Sequence, residues 1–149
     1  MDYEPSSILL VEDEEAHAEL TRRAIRKGGN ASRIVVLTDG EEALDYVFNR
    51  GKYADKAKYP LPGLIMLDIK LPGIDGIEVL KQIKKQPVLK KIPVIMLTTS
   101  DREEDICKSY SYYANSYLTK PVAFKEFEEK IMQIDSYWML LNRPPALEA

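Results

Sequence analysis

The stretch SILLVED at 7–13 sets four aliphatic residues, Ile8 to Val11, directly against the acids Glu12 and Asp13. No polar residue interrupts the run, so the strand it predicts has no water-facing side, as in a parallel sheet covered on both faces. The same construction returns as RIVVLT at 33–38, LIMLD at 64–68, VIMLT at 94–98 behind Pro93, and a short SYL at 116–118. Helical spacing fills the intervals. Segment 14–27 carries Ala16, Leu20, Ala24 and Ile25 and stops at Gly28-Gly29, and 41–49 carries Ala43, Leu44, Val47 and Phe48. Helices are also predicted over 77–85, behind Pro72, Gly73 and Gly76, over 102–113 with Asp101 as N-cap, and over 124–138 with Phe124, Phe127, Ile131, Ile134 and Trp138 in register. Segment 50–63 has no period and reads as a long surface loop. Five strand–helix alternations predict an α/β chain with a parallel sheet between two helical layers.

Composition narrows the function. The 149 residues suit one domain, and 21 Lys plus Arg against 24 Asp plus Glu leave a charge of −3. That balance argues against nucleic acid, which basic surfaces bind. One Cys and one His exclude an intrachain disulfide and a Cys/His zinc site from this chain alone. The aliphatic runs are too short to span a membrane, and the acidic start Met-Asp-Tyr-Glu is unlike a secretory signal, so a cytoplasmic protein is expected.

Ligands of open parallel sheets sit beyond the carboxyl ends of the strands. Those ends supply Glu12-Asp13, Asp68, Thr98-Thr99 and Lys120-Pro121. Like charges at about 4 Å repel by roughly 4 kcal/mol at an effective dielectric near 20, so three converging acids call for raised pKa values or a hard cation such as Mg²⁺. A carboxylate beside a metal, a lysine and a hydroxyl is equipped to accept a phosphoryl group.

The segments LLVEDEE, LIMLDIKLPGIDG, VIMLTTS and SYLTKP, in this order, resemble the receiver domain of two-component response regulators. The likeness spans about 7–138. The long loop before the third strand, LKKIPVIMLTTS and a closing Tyr137-Trp138 further resemble stand-alone receivers that partner bacterial phytochrome kinases. The resemblance implies a doubly wound (βα)5, flavodoxin-like sandwich with strand order 2-1-3-4-5. It implies that Asp68 takes phosphate from a histidine kinase as an aspartyl phosphate, with Glu12, Asp13, Asp68 and the Lys70 carbonyl around Mg²⁺. Lys120 and Thr98 would contact the phosphoryl oxygens, Tyr117 would be the aromatic switch, and a cis Lys120–Pro121 bond would place the lysine. Lys70, where a neutral residue is common in the family, predicts an altered phosphate lifetime.

Several residues have plainer readings. His17 falls in register with Leu20 and Ala24 and reads as a half-buried packing residue, and Cys107 reads as inert. Five large residues, Tyr137 to Leu141, cannot all be buried by one helix face, so some are expected to be exposed. A homodimer or downstream partner would use the face of the fourth helix, fifth strand and fifth helix. The core is expected at 7–138, with 139–149 a tail too short for an output domain and frayed after Leu141. The alternative is a receiver-shaped adaptor that works without phosphorylation. A flavin carrier is disfavoured, because Glu12-Asp13-Glu14-Glu15 stands in the place of its phosphate loop and would repel the phosphate.

Overall fold

A computed structural model describes residues 2–147. The strands are β1 (Tyr3–Val11), β2 (Arg33–Leu37), β3 (Leu61–Leu67), β4 (Val94–Thr98) and β5 (Ser116–Thr119). The helices are α1 (Glu15–Gly28), α2 (Gly40–Val47), α3 (Gly76–Lys85), α4 (Glu103–Ser111) and α5 (Phe124–Asp135). The sheet is parallel throughout, as the apolar runs predicted, and ordered β2-β1-β3-β4-β5, as the resemblance implied.

Alternation along the strands divides the core in two. Leu9, Val11, Ile65, Leu67, Val94 and Met96 meet the buried faces of α2 and α3, including Leu44, Val47, Val79, Leu80 and Ile83. Ile8, Leu10, Leu64, Met66, Ile95 and Leu97 meet α1 and α5 through Ala24, Ile25, Phe127 and Ile131. Each such side chain contributes about 1.5–3 kcal/mol on leaving water, which is why these runs tolerate no polar residue.

Boundaries differ from the sequence reading where tertiary contacts add structure. β1 begins at Tyr3 because Tyr3 and Glu4 pair with Leu61 and Pro62, across an irregularity before Ile8. Gly63 permits that approach, since a Cβ there would stand 1.8 Å from the Pro5 carbonyl oxygen. The expected loop at 50–63 holds a 3₁₀ turn at Gly51–Tyr53 and then the start of β3. Its Tyr53 and Tyr59 pack with Tyr46 of α2, the three ring centroids 4.9–5.9 Å apart. Asn49, in the left-handed region at φ 53°, donates from Nδ2 to the carbonyls of Tyr53 and Tyr59 at 3.1 and 3.3 Å. Asp101 does not cap α4: the N-cap position is Arg102 and no side chain caps the helix there, while Ser100 Oγ donates to Asp105 in its first turn at 2.5 Å.

The end of the chain also departs from expectation. α5 widens into a π-helical stretch, Ser136–Leu141. Trp138 and Met139 pack on the α1–α5 core while Tyr137, Leu140 and Leu141 stay exposed, as five consecutive large residues require. The tail is not frayed throughout, because Leu147 is buried in the core cluster on the opposite face of the sheet.

Candidate phosphoryl-acceptor and metal site

The strand registers assemble the site. Val11 is level with Leu67, so the next residues, Glu12 and Asp68, emerge side by side. Backbone hydrogen bonds continue past the strands and hold them: Glu12 N–H to Leu37 (2.9 Å), Asp68 N–H to Val11 (3.1 Å) and Lys120 N–H to Thr98 (2.7 Å). Behind Asp68 the chain turns so tightly into α3 that a Cβ on Gly76 would lie 1.9 Å from the Asp68 carbonyl oxygen. Gly76 is therefore a site residue in effect, although the sequence marked it only as a turn.

Glu12, Asp13 and Asp68 each present a carboxylate oxygen within 4.8 Å of the others. Glu12 and Asp68 are buried and Asp13 is exposed. Lys120, itself buried, threads its ammonium between the acids: Nζ donates to Glu12 Oε1, to Asp68 Oδ2 at 3.1 Å, and meets His17 Nδ1 at 3.0 Å. The other Asp68 oxygen accepts from the Lys70 backbone N–H at 3.3 Å. Burial pushes the Glu12 carboxyl up to about 7, against the pull of Lys120 and with help from the Asp68 charge.

One lysine cannot neutralise three acids. Hard oxygen donors gathered at this spacing, two on a rigid strand edge and one open to solvent, fit Mg²⁺ or Mn²⁺, which are bound by one or two carboxylates plus water. The acidic cluster is a divalent-cation site of the receiver type, with Glu12, Asp13 and Asp68 as the residues able to hold the ion.

The remaining predicted residues divide by parity. Glu12, Asp68 and Lys120 continue the alternation that faces α1 and α5, and so does Thr99, which lines the open pocket of about 130 Å³ with Asp13, Asp68, Lys70 and Lys120. Thr98 falls on the other face and is fully buried. Its Oγ1 accepts from the Ser100 N–H at 3.3 Å, and the Tyr117 hydroxyl donates to the Ser100 carbonyl at 2.8 Å. Thr98 and Tyr117 thus meet through Ser100, not at the carboxylates. Burial raises the Tyr117 phenol above its ordinary value.

Two expectations are corrected. Among the described residues there is no cis peptide, so Lys120–Pro121 is trans; Lys120 Nζ reaches Asp68 from that geometry. His17 is half-buried as expected but is not only a packing residue: it lines the pocket and touches both Lys120 and Glu14. Its helical register gave no sign of this, because the partner lies 103 residues away in sequence.

Comparison with known proteins agrees with this geometry. The model for the response regulator receiver domain matches residues 8–132. The probable methanogenesis regulatory protein FilR2 of Methanothrix harundinacea is 43% identical over 142 residues, 95% of this chain and 89% of its own length. Response regulator Rcp1 of Synechocystis is 39% identical over 142 residues, 95% of each. Among solved structures, the phosphorylated cyanobacterial phytochrome response regulator RcpA superposes with a TM-score of 0.88 at 37% identity, covering 94% of this chain and 98% of that one. The Mn²⁺-bound form of Rcp1 gives 0.88 at 38% identity, covering 94% and 99%. With its sheet order, its acid cluster and its lysine accounted for, the chain belongs to the response regulator receiver domain family, the phospho-accepting modules of two-component signalling.

Proposed function

We propose that Asp68 is the phospho-acceptor and that a sensor histidine kinase is the donor. The carrying observation is that a buried carboxylate at a strand end is held by Lys120 on one oxygen and the Lys70 N–H on the other, with two further acids beside it. An Asp68 oxygen attacks phosphorus, the N–P bond of the phosphohistidine breaks, and the departing nitrogen keeps the electron pair and takes a proton. A divalent cation held by Glu12, Asp13 and Asp68 would neutralise charge on the carboxylates and the incoming phosphoryl group. Lys120, whose ammonium already stands beside Asp68, supplies an N–H to a phosphoryl oxygen. The Lys70 carbonyl, two residues past the acceptor, would join Glu12, Asp13 and Asp68 in holding the metal.

Thr98 and Tyr117 form the switch in this reading. Both hydrogen-bond to Ser100, so drawing the Thr98 hydroxyl toward phosphate disturbs the bond that holds Tyr117. Phosphorylation then favours one of two arrangements, a population shift. Exposed Tyr110, Tyr113 and Phe124 support an output or homodimer surface on α4, β5 and α5.

The likeness to RcpA and Rcp1 supports a phytochrome-type kinase as the partner. The protein is a signalling component whose catalysis is confined to its own phosphorylation and dephosphorylation. Residues 7–138 form one receiver unit. Among the described residues no helix is long and apolar enough to cross a membrane, and the donor chemistry is consistent with a cytoplasmic location.

Intact mass after incubation with acetyl phosphate or phosphoramidate tests the acceptor. One phosphoryl group is expected, dependent on Mg²⁺ and absent from Asp68→Asn. Phosphorylation that survives in Asp68→Asn would reject Asp68. No addition to the wild type from either a small donor or a histidine kinase would favour the adaptor reading.

A further inference from the structure

His17 is the chain's only histidine, and its Nδ1 stands between partners with opposite demands. It lies 3.0 Å from Lys120 Nζ and 2.7 Å from Glu14 Oε2. An ammonium only donates, an ionised carboxylate only accepts, and a ring nitrogen has a single in-plane position for a proton or a lone pair. Nδ1 can therefore accept from Lys120 or donate to Glu14, but not both at once.

Burial decides between them. The Lys120 side chain is 4% exposed and spends two N–H groups on Glu12 and Asp68. His17 Nδ1 is the partner of the third, and a buried donor without a partner is costly. The Glu14 side chain is 61% exposed and has water as a substitute.

We propose that His17 is a positioning residue for Lys120. In the resting protein its Nδ1 lone pair accepts the third ammonium hydrogen, and Nε2 carries the ring proton. When Asp68 is phosphorylated, Lys120 gives that N–H to a phosphoryl oxygen. The single ring proton then passes through water from Nε2 to Nδ1, where it donates to Glu14, leaving the proton count of the ring unchanged. The second half rests on the phospho-acceptor reading; the first half concerns the resting protein alone.

A single histidine gives one set of ring ¹⁵N signals, which report the tautomer without assignment. At alkaline pH, with the ring neutral, the wild type is expected to show the Nε2–H form, and Lys120→Met to shift the population to Nδ1–H. An Nδ1–H form in the wild type, or no change in Lys120→Met, overturns the first half. Adding Mg²⁺ and beryllofluoride, a phosphoryl mimic, should move the wild type in the same direction; no movement overturns the second half.

Kinetics provide a readout that a purely structural role would not move. His17→Leu keeps helix propensity and is expected to slow phosphorylation by phosphoramidate about fivefold. His17→Asn, whose Oδ1 can stand where Nδ1 stood, should restore most of the rate, and equal loss in both variants overturns positioning. A wild type that accepts no phosphate defeats the acceptor reading and the second half with it, while the resting tautomer still decides the first.

Discussion

The acid pocket at the carboxyl edge and the tyrosine cluster before β3 are both dense groups of polar-capable side chains, yet they are built to opposite ends. In the tyrosine cluster each ring buries apolar area and each buried hydroxyl finds an acceptor: Tyr46 donates to the Pro60 carbonyl at 3.2 Å and Tyr53 to Glu42 at 3.1 Å. In the acid pocket, one lysine bonds two of three clustered carboxylates and leaves a surplus of negative charge. The first arrangement stabilises the fold. The second holds the fold away from its stability optimum so that a cation and a phosphoryl group have somewhere to bind.

Mutation should separate the two most clearly. Tyr46→Ala is expected to lower unfolding free energy by about 3–5 kcal/mol, as for other buried aromatic truncations, measured by urea denaturation. A loss under about 1 kcal/mol would mean that the cluster is ornamental and the contrast fails.

The two regions also answer to different pH windows. Because folding raises the Glu12 carboxyl to about 7, its contribution is full below the unfolded value near 4.5 and is lost as pH rises through about 7. In EDTA the wild type should therefore lose on the order of 3 kcal/mol across that window, and Glu12→Gln should not. The Tyr53 phenol is pushed up to about 12, chiefly by burial and then by Glu42, so its contribution is full below about pH 10 and is lost toward 12. Wild type should fall by about 2 kcal/mol more than Tyr53→Phe over that range. A single pH dependence common to both variants would erase the distinction.

The smallest effect is the most specific. Asp13→Asn removes one of three like charges at an exposed position, so metal-free protein should gain about 1 kcal/mol. The same change should shrink the rise in Tm that Mg²⁺ produces in the wild type. Destabilisation of Asp13→Asn in EDTA would show that the pocket carries no surplus repulsion.

The contrast also marks what could be read in advance. Glu12, Asp13, Asp68 and Lys120 were legible because strand ends in a parallel sheet are predictable from apolar runs, and the fold then brings those ends to one edge. The tyrosine cluster was hidden inside a segment without periodicity, since Tyr46 lies on α2 and the turn that carries Tyr53 exists only once Asn49 bridges it. The aliphatic runs and helical spacings by themselves determined the class of fold, and with the four motifs they determined the family. Local propensity acts over a few residues and is written in order. Tertiary structure alone decided the trans bond before Pro121, the burial of Leu147, the separation of Thr98 from the carboxylates, and the seat of His17 on Lys120. Those depend on which side of a pleat a residue faces and on contacts between chain segments far apart, and neither is carried by the spacing of residues along one segment.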